Sequence, residues 1–499
     1  MIFIDGPDMN NVADLLRKAA GLRPEHPALI FEGQTYSYQE LDRLTNRFAS
    51  YLTSAGIQRG QVIAVLLESR VELLVAALGA FKAGVVPNIV NAMLQPDEVL
   101  PIIVDSRAVL LVTDLDRAEL LRPTRDQLGN CPLLVVGAEF DQALASAADS
   151  HESPAISTSA TACLLYTSGT TGRPKGVMLT HLNILDNAMQ FGRVHFTPAD
   201  RLVVAAPLFH CWGLINGVLG IFAAGGTAIV IRRFKTDVML DLIGDLQPTQ
   251  FLGVPAMINY MTRTAAETGR SFGRLQTVHS AAAPMPCELI HALRDKWGVG
   301  YAESYGLTEV SPVITTTAAA DTRPGSCGRA MGDTQLKVVD ADGKTLPIGE
   351  VGELWARGTA VTAGYFNRPV ETAEVFVADG WFRTGDIVRM DTEGYVYIVD
   401  RIKDMINVGG EKVYPRDVEE AIFRHPAVAD AVVLGKPDPV LGEVPRAVVS
   451  LKANHQLTAE ELIQFLRTTL AKFKVPREIQ FVETVPRSAS GKALRRVLR

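Results

Sequence analysis

Cysteine is scarce in this chain: five residues in 499, at positions 131, 163, 211, 287 and 327, odd in number and never spaced as C-x-x-C. That pattern excludes a disulfide framework and a structural zinc site, and it fits a reducing compartment. An excess of one charge is missing too. With 49 basic against 55 acidic residues the formal net charge is -6, so no basic surface points to nucleic acid and any phosphate binding must be local. The opening stretch has early acids and no apolar core of secretory-leader length, and a cytoplasmic location is expected. One segment lacks charge for long enough to cross a bilayer, residues 202–231, but Pro207, His210, Asn216 and the Ala-Ala-Gly-Gly run at 223–226 interrupt it. A buried strand, a pocket-lining helix and a second strand are expected there, and no integral membrane segment. Repeats and low-complexity tracts are absent as well.

What is present is core-forming material, 47% hydrophobic residues over a length well above the ~100–200 residues of one domain. Ser37 and Glu40 are spaced as a capping box ahead of Leu41, Leu44, Phe48 and Leu52, which share one helical face. GQVIAVLLES then reads as a buried strand, and VELLVAALGAFKAG as a helix closed by glycine. This alternation continues and predicts an α/β fold with parallel sheets covered by helices. From about 326 to 400, short segments such as GELWARG and YVYIVD alternate with turns such as DADG and DTEG, as in an antiparallel β-subdomain. From about 403 the pattern is mixed again: a helix from Pro415, strands ADAVVLG and RAVVSL, and a helix capped by Thr458 and Glu461. That block is long enough for a small α+β domain.

The densest chemistry lies in LLYTSGTTGRPKGVM, residues 164–178. Thr167, Ser168, Thr170 and Thr171 supply hydroxyls, Gly169, Gly172 and Gly176 supply backbone that an anion can approach, and Lys175 beside Arg173 supplies positive charge. The combination reads as a polyphosphate clamp. It is not a Walker A loop, because G-x-x-x-x-G-K-[ST] cannot be laid over it.

YTSGTTGRPKGVMLTH resembles the signature loop of the acyl-adenylate-forming superfamily, which includes acyl-CoA synthetases, nonribosomal adenylation domains and beetle luciferase; the chain is most like the acyl-CoA synthetases. Further motifs match in order: PLFH at 207–210, GVP at 253–255, SAAAP at 280–284, YGLTE at 305–309, GEVGE at 349–353, WFRTGD at 381–386, DRIK at 400–403, GGEKVYP at 409–415 and PRSASGK at 486–492. The resemblance covers essentially the whole chain. It implies a large AMP-binding domain over 1–402, with the β-subdomain at about 326–400, and a small mobile C-terminal domain over 403–499 hinged at Lys403.

The same resemblance implies attack of a carboxylate on the α-phosphorus of ATP, giving acyl-AMP and pyrophosphate, and then transfer of the acyl group to the thiol of CoA. Lys492 would be the catalytic lysine between carboxylate and α-phosphate, Thr308 a phosphate donor, and Glu309 the holder of Mg2+. The ATP site would take in Thr167, Ser168, Gly169, Thr170, Thr171, Lys175, Ala282, Ala283, Glu303, Ser304, Tyr305 and Gly306, with Tyr305 stacked on the adenine. Asp386 would accept from the ribose hydroxyls, and Arg401 would reach the ribose or a phosphate. Rotation at Lys403 would exchange Lys492 for the loop of Gly409 and Gly410 that admits the thiol, with Arg233 as a further CoA contact. Two departures stand out: the family's glycines after Ser280 are Ala281 and Ala282, and Asn407 stands where plant coumarate ligases and luciferase carry lysine.

His210 resembles the gate between acyl and thiol channels, while its neighbour Cys211 reads as structural. Trp212, Leu214, Val254 and Met257 are candidate walls of an acyl pocket, equally suited to plain core, and suggest an apolar acyl or aryl group. HCWGLIN contains no aspartate to pair with a substrate ammonium, so an unaminated carboxylic acid is favoured. The acceptor is left open between CoA, a carrier-protein thiol and an amine.

Overall fold

Short apolar strands between amphipathic helices can bury both their faces only inside a sheet covered on both sides, and the chain builds two such sheets. The computed structural model describes residues 4, 9–129, 131–168, 174–409, 411–487 and 493–498. It divides into two units, Met1–Gln335 with Arg357–Phe382, and Leu336–Ala356 with Arg383–Arg499.

In the first unit, the larger sheet has nine strands among the described residues. Their order is Arg329–Ala330, Val313–Thr316, Gly300–Gly306, Thr277–Ser280, Gln250–Gly253, Arg201–Val204, Thr227–Val230, Pro27–Phe31, Gln34–Ser37. From Gly300–Gly306 to Pro27–Phe31 every neighbouring pair is parallel. The second sheet runs Leu133–Val135, Leu111–Thr113, Val62–Leu66, Val86–Ile89, Thr161–Ser168, Pro174–Thr180. It is parallel except for its last pair, an antiparallel hairpin. The VIAVL strand is buried at every residue, as a two-sided parallel strand must be. Helix Tyr38–Ser54 starts on the expected capping box: the Glu40 N–H donates to Ser37 Oγ at 3.2 Å and the Ser37 N–H to Glu40 Oε2 at 2.7 Å. Helix Val71–Ala83 ends at Gly84, whose left-handed φ of 70° suits a residue without Cβ.

The uncharged stretch forms strand Arg201–Val204, a wide π-helical turn at Trp212–Leu219 continued by Gly220–Ala223, and strand Thr227–Val230. No helix among the described residues is long and apolar enough to cross a membrane.

In the second unit, strands Gln335–Val339, Val351–Arg357, Trp381–Met390 and Val396–Arg401 pair in that order. A further sheet runs Glu411–Val413, Ile406–Val408, Gly442–Leu451, Val428–Asp438, with Glu478–Phe481 parallel to Gly442–Leu451. Helices Pro415–Phe423 and Ala459–Arg467 cover it with Val418, Ile422, Leu462 and Leu466, and Thr458 with Glu461 caps the second of them. Contacts therefore group the β-strands before Lys403 with the C-terminal block. The tie is local: the Arg416 backbone N–H donates to Asp400 Oδ2 at 3.0 Å and its guanidinium to the Ile398 carbonyl at 2.5 Å, fastening helix Pro415–Phe423 to strand Val396–Arg401.

Candidate active site

Parallel order decides where loops gather. Strands Arg201–Val204, Gln250–Gly253, Thr277–Ser280 and Gly300–Gly306 are consecutive neighbours pointing the same way. Their carboxyl ends run into PLFH, GVP, SAAAP and YGLTE respectively. Motifs up to 102 residues apart in sequence (309 minus 207) thus come together at one edge of the sheet, where open α/β folds bind ligands.

Strands Thr161–Ser168 and Pro174–Thr180, on either side of the glycine and hydroxyl loop, form the antiparallel hairpin. Its register sets Tyr166 opposite Gly176, Thr167 opposite Lys175 and Ser168 opposite Pro174. Of the expected site residues, Gly169, Thr170, Thr171, Gly410 and Lys492 lie outside the described residues, as do the side chains of Ser168 and Lys403.

After Gly306 the chain makes a short 3-10 turn, Thr308–Val310, and returns so closely that a Cβ on Gly306 would lie 1.6 Å from the Pro312 carbonyl oxygen. Only glycine fits there. The turn sets Glu309 half-buried, its Oε1 accepting the Tyr365 hydroxyl at 3.0 Å and its backbone carbonyl accepting the Thr362 N–H at 2.8 Å. Residues 362–366 are stitched to strand Pro174–Thr180: the Met178 N–H donates to Gly364 at 2.9 Å, the Phe366 N–H to Gly176 at 2.8 Å, and the Thr362 hydroxyl to Met178 at 2.6 Å. Lys175 Nζ lies 5.2 Å from the centroid of the Tyr365 ring, within cation–π range. Burial and the Glu309 carboxylate both push the Tyr365 phenol well above its ordinary range, so it stays a donor.

Sequence reasoning missed Tyr365. It carries no charge, and its significance comes from its pairing with Val177 across the fold; the glycine before it in AGYFNRP was the available signal. Among the described residues no group of three or more His, Cys, Asp or Glu could cage a metal. Glu309 offers one carboxylate with Oε2 uncommitted to any described residue. That suits Mg2+, which binds through one or two carboxylates together with substrate phosphates.

Glu303, Ser304 and Tyr305 are buried on the strand leading into the turn, with Ser304 Oγ 2.8 Å from Thr316 Oγ1 and the Glu303 N–H donating to Thr317 Oγ1 at 3.0 Å. Ala282 is exposed and takes a left-handed φ of 74°, where the family resemblance puts glycine; Ala283 is half-buried beside it. His210 is half-buried, its N–H on the Pro207 carbonyl at 3.0 Å. Cys211 is buried with Sγ 3.8 Å from Thr308 Oγ1. The suggested pocket walls are well anchored: the Trp212 indole donates to the Gly253 carbonyl at 3.0 Å and meets Phe191 edge-on, Leu214 and Val254 are buried, and Met257 is half-buried. Below them Asn216 donates to Asn187 at 3.0 Å, and Asn187 to the Val313 carbonyl at 2.7 Å, linking the π-helical turn to the chain after Glu309. Arg233 has a partner already, the Glu68 carboxylate, 2.7 Å from its Nε.

In the second unit Asp386 and Arg401 face each other across a hairpin, with Arg401 Nε 2.7 Å from Asp386 Oδ1; Asp386 is only 1% exposed. Lys403 belongs to the short turn Ile402–Asp404. The Gly409 N–H donates to Leu441 at 2.8 Å with φ 61°.

A parallel sheet collecting these motif loops, beside a hydroxyl-rich hairpin and a single metal-suited carboxylate, defines an adenylate-forming enzyme. The chain belongs to the AMP-binding enzyme family, which matches residues 16–366, with the family's C-terminal domain matching 417–492. It is an acid–thiol ligase of the AMP-forming kind, most similar to acyl-CoA synthetases. A feruloyl-CoA synthase of an Amycolatopsis species is 34% identical over 96% of each chain. A fatty acid–[acyl-carrier-protein] ligase, ScoC of Streptomyces coeruleorubidus, is 35% identical over 99% of this chain and 96% of its own. The ATP-bound crystal structure of MatB from Rhodopseudomonas palustris superposes with a TM-score of 0.91 at 31% identity, covering 98% of both chains.

Proposed function

We propose that the protein joins an unaminated carboxylic acid with an apolar acyl or aryl group to CoA, in the cytoplasm, through an acyl-AMP intermediate. The observation that carries this is the gathering of PLFH, GVP, SAAAP and YGLTE at the carboxyl ends of four neighbouring parallel strands.

Both reactants of the first step are anions, so the residues' work is to supply positive charge and fixed donors where negative charge builds up. Lys175 and the hydroxyls of Thr167, Ser168, Thr170 and Thr171 receive the β- and γ-phosphates, with the backbone of Gly169. Thr308 donates to a phosphate oxygen, and Glu309 would hold Mg2+. Mg2+, when bound, neutralises charge on the phosphates. Glu303, Ser304, Tyr305, Gly306, Ala282 and Ala283 border the adenine, and Asp386 accepts the ribose hydroxyls beside Arg401. Lys492 places its ammonium between the attacking carboxylate and the α-phosphate. A pair of charges 4 Å apart is worth ~1 kcal/mol in water and ~4 kcal/mol at an effective dielectric of ~20, so this lysine acts only where water is excluded. The carboxylate oxygen bonds to the α-phosphorus as pyrophosphate leaves. In the second step rotation at Lys403, between 1–402 and 403–499, replaces Lys492 by the loop of Gly409 and Gly410; the thiolate then bonds to the acyl carbon, AMP leaves, and the thiol proton goes to solvent. His210 gates the thiol, and Trp212, Leu214, Val254 and Met257 bound the acyl group.

A second acceptor is favoured by two observations. Arg233, the cation suggested for CoA phosphates, is paired with Glu68, and a fatty acid–[acyl-carrier-protein] ligase is among the similar proteins. The test is AMP release from ATP with a panel of aryl and aliphatic acids, each with CoA, a carrier protein, an amine, or no acceptor. Acid-dependent AMP formation stimulated by CoA is expected; stimulation by the carrier protein or the amine alone would move the acceptor.

A further inference from the structure

We infer that Tyr365 is a positioning residue that couples the lysine of the phosphate loop to the metal-holding carboxylate, so that one side chain sets both the triphosphate cation and the Mg2+ ligand. The inference rests on the adenylation reading above.

Three separate observations meet at this side chain. First, its hydroxyl donates to Glu309 Oε1 at 3.0 Å, which anchors one carboxylate oxygen and leaves Oε2 open for a cation. Second, Lys175 Nζ lies 5.2 Å from its ring centroid, and the described residues offer that ammonium no carboxylate partner. A lysine held over a π-face, and not in an ion pair, keeps its full charge for an incoming phosphate. Third, the Tyr365 backbone is clamped from both sides: it bridges Val177 of the hairpin, its N–H donates to Thr372 Oγ1 at 3.0 Å, and Thr362, three residues earlier, donates to the Glu309 carbonyl. The ring therefore cannot drift independently of either the hairpin or the 308–310 turn.

The arrangement orders charge before the nucleotide arrives. A free glutamate on a surface turn samples several rotamers, and binding Mg2+ with ATP would have to select one of them. With Oε1 already held, that selection is made on folding. The phenol acts through the Glu309 carboxylate, so its loss should change metal-dependent binding far more than nucleotide binding in general.

The experiment titrates Mg2+ at fixed ATP against full-length protein, following the ATP-dependent rise in melting temperature and the heat of binding. AMP, which lacks the β- and γ-phosphates, is the control ligand. Tyr365→Phe keeps the ring for Lys175 and removes only the hydroxyl. It should raise the Mg2+ concentration at half-effect by about three- to tenfold, the scale of one ordinary net hydrogen bond, and leave AMP binding within about twofold. Tyr365→Leu removes the ring as well, and should also weaken pyrophosphate binding measured without Mg2+. Superimposable Mg2+ titrations for wild type and Tyr365→Phe would overturn the inference, as would equal losses for ATP and AMP in a folded variant. Failure of the wild type itself to bind ATP would instead overturn the adenylation reading.

Discussion

Ala282 holds a φ of 74°. A left-handed backbone costs an L-residue roughly 1–2 kcal/mol, whereas replacing alanine by glycine loosens the unfolded chain by roughly 0.4–1 kcal/mol. Relief of strain outweighs the added freedom of the unfolded chain, so Ala282→Gly should stabilise the protein by about 0.5–1 kcal/mol, read as a higher urea midpoint at unchanged slope. Glu309→Gln keeps an acceptor for the Tyr365 hydroxyl and removes the charge; acid-dependent AMP formation should fall by about 10²–10³-fold, the scale of a lost electrostatic contact. A rate within threefold of wild type would dismiss Glu309 as the Mg2+ holder. At this scale the sequence is readable wherever a residue sits in a local motif, and Lys175, Thr308 and Glu309 stand out in the linear chain for that reason. Tyr365 does not, because its meaning arises from the pairing of residues 177 and 365, which no local pattern encodes.

Among elements, those set by short-range rules were legible. Both capping boxes, Ser37 with Glu40 and Thr458 with Glu461, form as spaced, and the apolar runs became parallel strands. The widened turn at Trp212–Leu219 was expected only as a helix. A run buried on every side has no apolar face from which to count 3.6 or 4.4 residues per turn. What fixes it is tertiary: Trp212 tied to Gly253 and Asn216 tied to Asn187. Asn187→Leu would strand the Asn216 amide and the Val313 carbonyl, and should cost about 2–4 kcal/mol in denaturant unfolding. A loss below about 0.5 kcal/mol, less than one ordinary hydrogen bond, would show that the network contributes little.

For the whole molecule, acid is the informative variable. Burial, with Arg59 a smaller cause, lowers His181 to about 4, and burial lowers His279 to about 3. His195 is also held well below its ordinary value by burial and by His279. Unfolded histidines protonate near 6.5. These rings stay neutral in the fold, so their contribution is fully present above pH 6.5 and is lost as pH falls towards 4, at up to about 1.4 kcal/mol per pH unit for each ring. Melting temperature should drop between pH 6.5 and 5. His181→Asn, whose amide oxygen can still accept the Val12 N–H, should flatten that slope by about one ring's share. The proposed rotation makes a separate demand on the chain: Lys403→Pro should preserve acyl-AMP formation, read as acid-dependent pyrophosphate release, and slow thioester formation at least tenfold, checked by timing pyrophosphate against thioester. Motif order puts a boundary at Lys403, but contacts group 336–356 and 383–402 with the C-terminal block, since the Arg416 bonds that tie them are made only once the chain has folded back.

The Asp386–Arg401 pair carries one more consequence. Under the proposed function a ribose must take up the same carboxylate that the guanidinium already occupies. The second unit thus holds a tethered competitor, present at an effective concentration that no added ligand can dilute. Nucleotide affinity measured on the intact protein is then a displacement constant. Arg401→Gln should tighten the binding of adenosine, which has a ribose and no phosphate, while any contribution of Arg401 to phosphate binding would be lost only for AMP and ATP.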